Sequence, residues 1–380
     1  MVVIAALYAP QPLYNVLSAE YGLGRTVISL AVTCIMLPLA VAPVLYGLLL
    51  ESLPAGRVAR AAVLVLAAGH FCLAAAPPWW GFLILRFVQG LAVPAALTSL
   101  MTILSRSCGP DRVQRVLSLY ITATIVGGFS GRFFSGVISA FFGWRAAFVV
   151  LGASSVAVWG LLTRLRGAPP SSFTRPCAAL VAEVLRRRGM LRAYAVPFCA
   201  FFAFTAILNY LPFRLAELEG GAGELRVSLM YSSYLVGVLT SLNSTRIVRR
   251  LGSEPRAIRW GLVLFTGTVA ACLLPNGWAL FATLFPFCCG FFLVQSVGPG
   301  LVNHLGDAHK GLVNGLYISF YYAGGVVGSF IPGLIYAALG WNGLVSALLV
   351  VLGIGIWAAQ GLSAGPAPRE DVPPAPGPAA

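Results

Sequence analysis

The sequence predicts an all-α integral membrane protein, with twelve transmembrane helices arranged as two pseudo-symmetric six-helix bundles. Three observations carry that expectation. The 380 residues are 59% hydrophobic and 9% charged, where water-soluble domains carry about 25% charged residues, and mean hydropathy is +0.88. Long apolar runs, each close to the roughly 20 residues that cross a bilayer, alternate with short breaks of charge, Gly and Pro. A stretch of the first half also recurs 197 residues later.

The runs lie near 1–18, 25–50, 61–76, 81–104, 115–141, 142–162, 190–212, 227–247, 258–274, 278–302, 311–338 and 342–361. They are continuous rather than alternating, so they read as helices and not as the strands of a closed barrel. The first run contains Pro10 and Pro12 and has no basic flank, so it reads as lacking its first turns, with an upstream start or a truncated chain as the two explanations. No charged leader or cleavage site marks it as a signal peptide. Residues 163–189 are basic, include Arg186, Arg187 and Arg188, and read as a cytoplasmic linker joining a bundle over 1–162 to a bundle over 190–361. The Pro/Ala-rich segment 362–380 cannot bury a core and is expected to be a disordered cytoplasmic tail.

Charge sets the expected orientation. The 25 basic and 11 acidic residues give +14, but the arginines are scattered between apolar runs and not grouped into the stripe a nucleic-acid binder needs. With the amino terminus in the cytoplasm, nineteen basic residues face inside, and only Arg25, Arg145, Arg214 and Arg226 face outside. Basic residues near span ends resist translocation, so both termini are expected to be cytoplasmic. The eight cysteines form no disulfide framework and no zinc spacing, and Cys288 with Cys289 reads as helix packing. The P-loop, zinc-protease and nucleophile-elbow patterns are missing. The expectation is therefore neither an enzyme nor an ATP-driven machine, with no cofactor and no metal.

The repeat aligns Leu119–Trp144 with Leu316–Trp341, identical at twelve of 26 positions, including Gly127/Gly324, Gly128/Gly325, Gly131/Gly328, Gly136/Gly333 and the closing Gly-Trp. Small residues at such spacing let helices approach closely. Span five thus matches span eleven in a parallel six-plus-six repeat, an architecture that places a solute site near the bilayer midplane between halves that rock about it.

On these residues the chain resembles the major facilitator superfamily, and within it the bacterial drug and sugar efflux permeases of the proton-antiporter type. The resemblance is carried by YAPQPL (Tyr8–Leu13), RFVQG (Arg86–Gly90), GGFSGR (Gly127–Arg132), LNYLPFRL (Leu208–Leu215) and GFFLVQSV (Gly290–Val297), together with the repeat. It implies a secondary active, alternating-access exporter of a small drug- or sugar-like solute by proton antiport in the bacterial inner membrane. It also implies a charge clamp in the loop after span two. There Gly47, Glu51 and Arg57 keep the pattern, but Ser52 and Pro54 stand where the family has Arg and Gly, so the clamp is expected to be weaker or rebuilt. Arg249, Arg250 and Gly252 mark the equivalent loop of the second half.

Two arginines fall inside spans. For Arg86 the resemblance implies proton transfer or substrate contact, and the residue-level alternative is snorkelling to the outer interface. Arg132 lies about nine residues from the outer end of its span, at 1.5 Å per residue too deep to escape fully to water, and either faces a cavity or locks spans through helix-end carbonyls. Gln11, Asn15, Gln89, Asn209, Tyr210 and Gln295 are cavity candidates on spans one, four, seven and ten, each also able to act as interhelical glue. Tyr317, Tyr321 and Tyr322 on span eleven and His70 on span three read as packing. All carboxylates map to loops, span ends or the tail, so proton coupling rests on the resemblance, with Glu20 or Glu51 as span-end carriers. Expected partners are a small-molecule solute, protons and the lipid bilayer, with no nucleic acid and a monomeric state. Two other readings stay open: an organic-anion uptake or exchange carrier using Arg86 and Arg132, and a non-transporting membrane sensor or scaffold.

Overall fold

Proline and glycine, more than any other residues, decide how these apolar runs become a bundle. The computed structural model describes residues 1–49, 54–107, 110–164, 178–187, 189–221, 223–305 and 310–362, which are helical with no strand among them. The spans in chain order begin with span one at Val2–Tyr21, then Arg25–Leu49, Ala55–Ala74, Trp79–Ser107, Pro110–Phe142 and Trp144–Thr163. The second half has Met190–Glu219, span eight at Glu224–Leu242, Glu254–Ala271, Gly277–Leu305, and Lys310–Gln360, in which spans eleven and twelve are joined at Gly340. This is the twelve-span, all-α membrane fold expected. Large apolar side chains such as Ile84, Leu161, Val350 and Trp357 are exposed on the outer surface, which only a lipid solvent accommodates.

Several helices overshoot their apolar runs. Span seven continues to Glu219 and span three begins at Ala55, because backbone pairing persists into the interface whereas hydropathy marks only the hydrocarbon-matched part. Linker residues 178–186 form a short helix, Ala178–Arg186. The remainder of the linker (165–177 and 188), Glu51 with its loop, and the tail from 363 lie outside the described residues.

Span one is not one continuous helix. It runs as Val2–Tyr8, a 3-10 turn Gln11–Leu13, and Tyr14–Tyr21. Pro10 and Pro12 cause the break, since each lacks the N–H that would bond the carbonyl four residues earlier. Span eight is likewise interrupted by a 3-10 turn at Tyr231–Ser233. It then bends at Asn243 into Ser244–Leu251, where Arg249 and Arg250 are exposed in the last turn before the left-handed Gly252.

The sequence repeat is also a packing repeat. A Cβ on Gly127 or Gly131 would collide with the span-one backbone at Met1 or Ala5, and one on Gly324 or Gly328 with the span-seven backbone at Phe198 or Phe202. All four pairs are related by the same 197-residue shift. Gly143 and Gly340 each take a positive φ, 80° and 67°, a conformation open to glycine, and the Trp144 or Trp341 that follows is buried. Across the halves, span two packs against span eleven and span five against span eight.

Gly131→Ala and Gly328→Ala should each lower the thermal unfolding midpoint of the detergent-purified protein, by about 1–3 kcal/mol of overpacking. Gly353→Ala, where a Cβ meets nothing within 4 Å, should leave it unchanged.

Candidate functional site

The break in span one leaves carbonyls without helical partners in the bundle interior, and the residues that answer them organise the site. Arg86, fully buried, donates Nη1 to the Ala6 carbonyl at 2.8 Å, which is the acceptor Pro10 frees, and Nη2 to the Leu7 carbonyl at 2.7 Å. Its Nε reaches the Ala31 carbonyl on span two at 2.8 Å, and Nη1 also meets Gln89 Oε1 at 3.0 Å. Gln89 in turn donates to the Leu66 carbonyl of span three at 3.3 Å. Snorkelling is thereby corrected: the guanidinium points inward because span one presents unpaired backbone oxygens there. Ser135 completes the repair by donating Oγ to the Ala9 carbonyl at 2.8 Å.

Arg132 is equally buried, at 1% exposure, and differently surrounded. Its Nε donates to Gln11 Oε1 and its Nη1 to the Gly128 carbonyl of its own helix at 2.9 Å. The guanidinium carbon lies 3.7 Å from the ring centre of Tyr8, 4.8 Å from that of Tyr234 and 5.8 Å from that of Tyr231. Tyr8 belongs to the first half and the other two to the second, so this cation is held between them by cation–π contacts. Tyr231 is itself fixed, its hydroxyl donating to the Leu208 carbonyl at 3.1 Å, which Pro212 leaves free.

From this cage a polar seam runs toward one end of the bundle. Gln11 Nε2 donates to Asn209 Oδ1, and the Tyr210 hydroxyl donates to the Ser329 carbonyl at 2.9 Å and shares a hydroxyl contact of 3.0 Å with Ser29 Oγ. Thr33 and Ser329 share a hydroxyl bond of 2.7 Å. Further along, Asn15 Nδ2 donates to the Pro212 carbonyl at 3.1 Å and Thr26 Oγ1 to the Gly333 carbonyl at 3.0 Å. The seam closes with Arg25 and Glu217 at 2.6 Å, the one ion pair between halves among the described residues. An open vestibule of about 460 Å³, lined by Ser18, Arg25, Phe213 and Glu217 among others, lies at that end.

The structure therefore brings Gln11, Asn15, Arg132, Asn209 and Tyr210 into one inter-half array, and places Arg86 with Gln89 in a separate cluster inside the first half. Gln295 stands apart with Tyr321, donating Nε2 to its hydroxyl at 3.1 Å, and Tyr321 stacks on Phe201 at 3.9 Å. His70 is buried against Phe148. Of the gating candidates, Glu51 is outside the described residues, Gly47 lies near the end of span two, and Arg57, Arg249, Arg250 and Gly252 are exposed at one end of the bundle.

Residue reading missed Tyr8, Ser29, Thr33, Tyr231, Tyr234 and Ser329. Two signals were available: Tyr8 opens the YAPQPL segment, and Tyr231 and Tyr234 stand three apart, on one helical face.

A twelve-span bundle with a polar, cation-bearing interface between two repeated halves is the architecture of a membrane transporter. The sequence profile of the Major Facilitator Superfamily matches residues 1–307, and the chain belongs to that family. It is 30% identical over 365 residues to the inner membrane transport protein YnfM of Escherichia coli, covering 93% of this chain and 85% of that one. To the uncharacterized MFS-type transporter YybF of Bacillus subtilis it is 27% identical, covering 93% and 88%. Among solved structures, the nucleoside transporter NupG superimposes with a TM-score of 0.77 at 13% identity, over 95% of this chain and 97% of that one.

Arg86→Gln should destabilise the protein by about 3 kcal/mol or more, since an orphaned buried acceptor costs about 1–3 kcal/mol. Arg86→Lys should restore little of this, because an ammonium cannot reproduce the planar fork. Thermal unfolding in detergent reads both.

Proposed function

We propose that the chain is a secondary active transporter that works by alternating access and exports a small organic solute, drug-like or sugar-like, in exchange for protons. The observation that carries the alternating-access part is the seam that joins the halves toward one end among the described residues. From Gln11 and Asn209 to Arg25 and Glu217, the halves are joined by side-chain contacts that separation can break one by one. With both termini in the cytoplasm, as the arginine distribution favours, the sealed end is the outer one. Solute then meets the cage around Arg132 from the inside, and export requires the seam to open.

Export and proton exchange are supported by the likeness to efflux permeases in YAPQPL, RFVQG and GGFSGR, and the bacterial inner membrane by the name of the YnfM relative. Arg86, bonded to the Ala6 and Leu7 carbonyls, acts in this reading by holding span one in its broken form, so that Tyr8 and Gln11 face the second half, and not by touching solute. In this reading the residues that meet solute are Gln11, Arg132, Asn209 and Tyr210, with Asn15 nearer the seam and Gln295 on the opposite wall. The gating set, Gly47, Glu51, Arg57, Arg249, Arg250 and Gly252, holds the inner end when the outer one opens. The two halves correspond to 1–162 and 190–361, joined by the linker over 163–189.

In proteoliposomes, an imposed pH gradient should drive flux of at least one of arabinose, ethidium and benzoate above protein-free vesicles. Proton coupling is wrong if no flux of the three responds to the gradient. In a background lacking the native cysteines, the pair Thr33→Cys and Ser329→Cys should cross-link under oxidation, stop flux, and recover it on reduction. Undiminished flux in the fully cross-linked protein would remove alternating access.

A further inference from the structure

We propose that Arg132 and the tyrosines around it form a binding site for the carboxylate of a planar organic monoanion, and that such anions are the solute class carried. The inference rests on the reading of the inter-half cage as the place where solute binds.

The two buried arginines are solved differently by the fold. Arg86 spends its three nitrogens on three backbone carbonyls and one amide oxygen, so four of its five N–H donors are taken. Arg132 meets only neutral groups, Gln11 Oε1, the Gly128 carbonyl and the Tyr8 hydroxyl close by, and otherwise faces ring surfaces. None of the ion pairs among the described residues includes it. A buried cation without a counter-ion is costly, and the cost is recovered when a hydrogen-bonded anion joins it. A guanidinium also fits a carboxylate through two parallel N–H···O bonds.

The repeat shows that the fold does not need this charge. Applying the 197-residue shift to Arg132 gives Ser329, whose hydroxyl bonds Thr33 and whose carbonyl accepts from Tyr210. The equivalent place in the second half is closed by a hydroxyl and neutral partners. One half thus carries a cation where the other manages with serine, which marks the cation as serving something outside the helix packing.

The surroundings define the rest of the ligand. Tyr8, Tyr231 and Tyr234 present rings to the guanidinium. On span eleven Tyr321 and Tyr322 meet edge to face with ring centres 5.1 Å apart, and Phe201 stacks on Tyr321. Aromatic walls of this kind accept a flat apolar body by stacking. Occupation also has a mechanical result. A carboxylate taking the fork displaces Gln11 Oε1, and Gln11 is the residue that reaches across to Asn209, so anion binding loosens the first link of the seam.

The test uses the full-length protein in detergent with benzoate, its neutral isostere benzamide, and benzylammonium. Benzoate should raise the unfolding midpoint of the wild type and bind measurably as radiolabel, whereas the other two should not. Arg132→Gln should weaken benzoate binding roughly tenfold or more, the usual worth of a charge-assisted bond, and its ligand-free midpoint should match or exceed that of the wild type. Arg132→Lys should keep the preference for benzoate over benzamide at lower affinity, and it decides the matter if the Gln variant does not fold. The proposal is overturned by equal shifts with benzoate and benzamide, by no benzoate response in the wild type, by undiminished binding in Arg132→Gln, or by loss of selectivity in Arg132→Lys. Arg132-dependent benzoate binding without gradient-driven flux would refute proton antiport and leave this site standing. Gradient-driven arabinose or ethidium transport that Arg132→Gln leaves unchanged, with no benzoate binding in the wild type, would refute the site and leave antiport standing.

Discussion

The structure depends on one constraint: a carbonyl that loses its helical partner inside hydrocarbon must find a donor within the protein. Span one loses such partners at Pro10 and Pro12. Arg86 and Ser135 answer the exposed oxygens from spans four and five. The break survives because it is capped, and because it survives, Tyr8 and Gln11 turn toward the second half instead of following a regular helical course. The second half uses the same device at Pro212, where Tyr231 supplies the donor. Both caps fix a residue that then touches Arg132.

A second layer of order comes from glycine. Four glycines on spans five and eleven bring those helices onto the backbones of spans one and seven, the spans whose side chains form the centre. Close approach at these points holds the polar residues within a few ångströms of one another. Larger residues would separate the helices and lengthen every bond in the seam. The two halves share this scaffold and differ in what they mount on it, a guanidinium at 132 and a hydroxyl at 329.

Much of the fold was legible in the chain itself. Apolar run length gave the number of crossings, and the shared Gly-Trp and glycine spacing of spans five and eleven gave the parallel repeat. The site was legible in its residue types but not in its partnerships. Gln11 and Asn209 were both recognisable as polar residues within spans, yet nothing local to either says that they meet. For Arg86 the snorkelling alternative stayed open because depth along a helix says nothing about what lies opposite, and the signal that could have closed it, Pro10 and Pro12, sits on another span. Tyr231 and Tyr234 escaped because tyrosine in an apolar run looks the same whether it packs or lines a site. The loop carrying Glu51 contributes nothing to the comparison, since it lies outside the described residues.

Gly143 and Gly340 are the joints between paired spans. Each turns one long helix directly into the next through a single glycine of positive φ, and each is followed by a tryptophan buried in its own half. Neither junction leaves slack: there is no intervening loop to stretch when the helices shift. Spans five and six, and eleven and twelve, must therefore travel as stiff hairpins, and any stroke that reaches Arg132 on span five carries span six with it. Motion of the centre is then motion of a whole half, levered from two glycines.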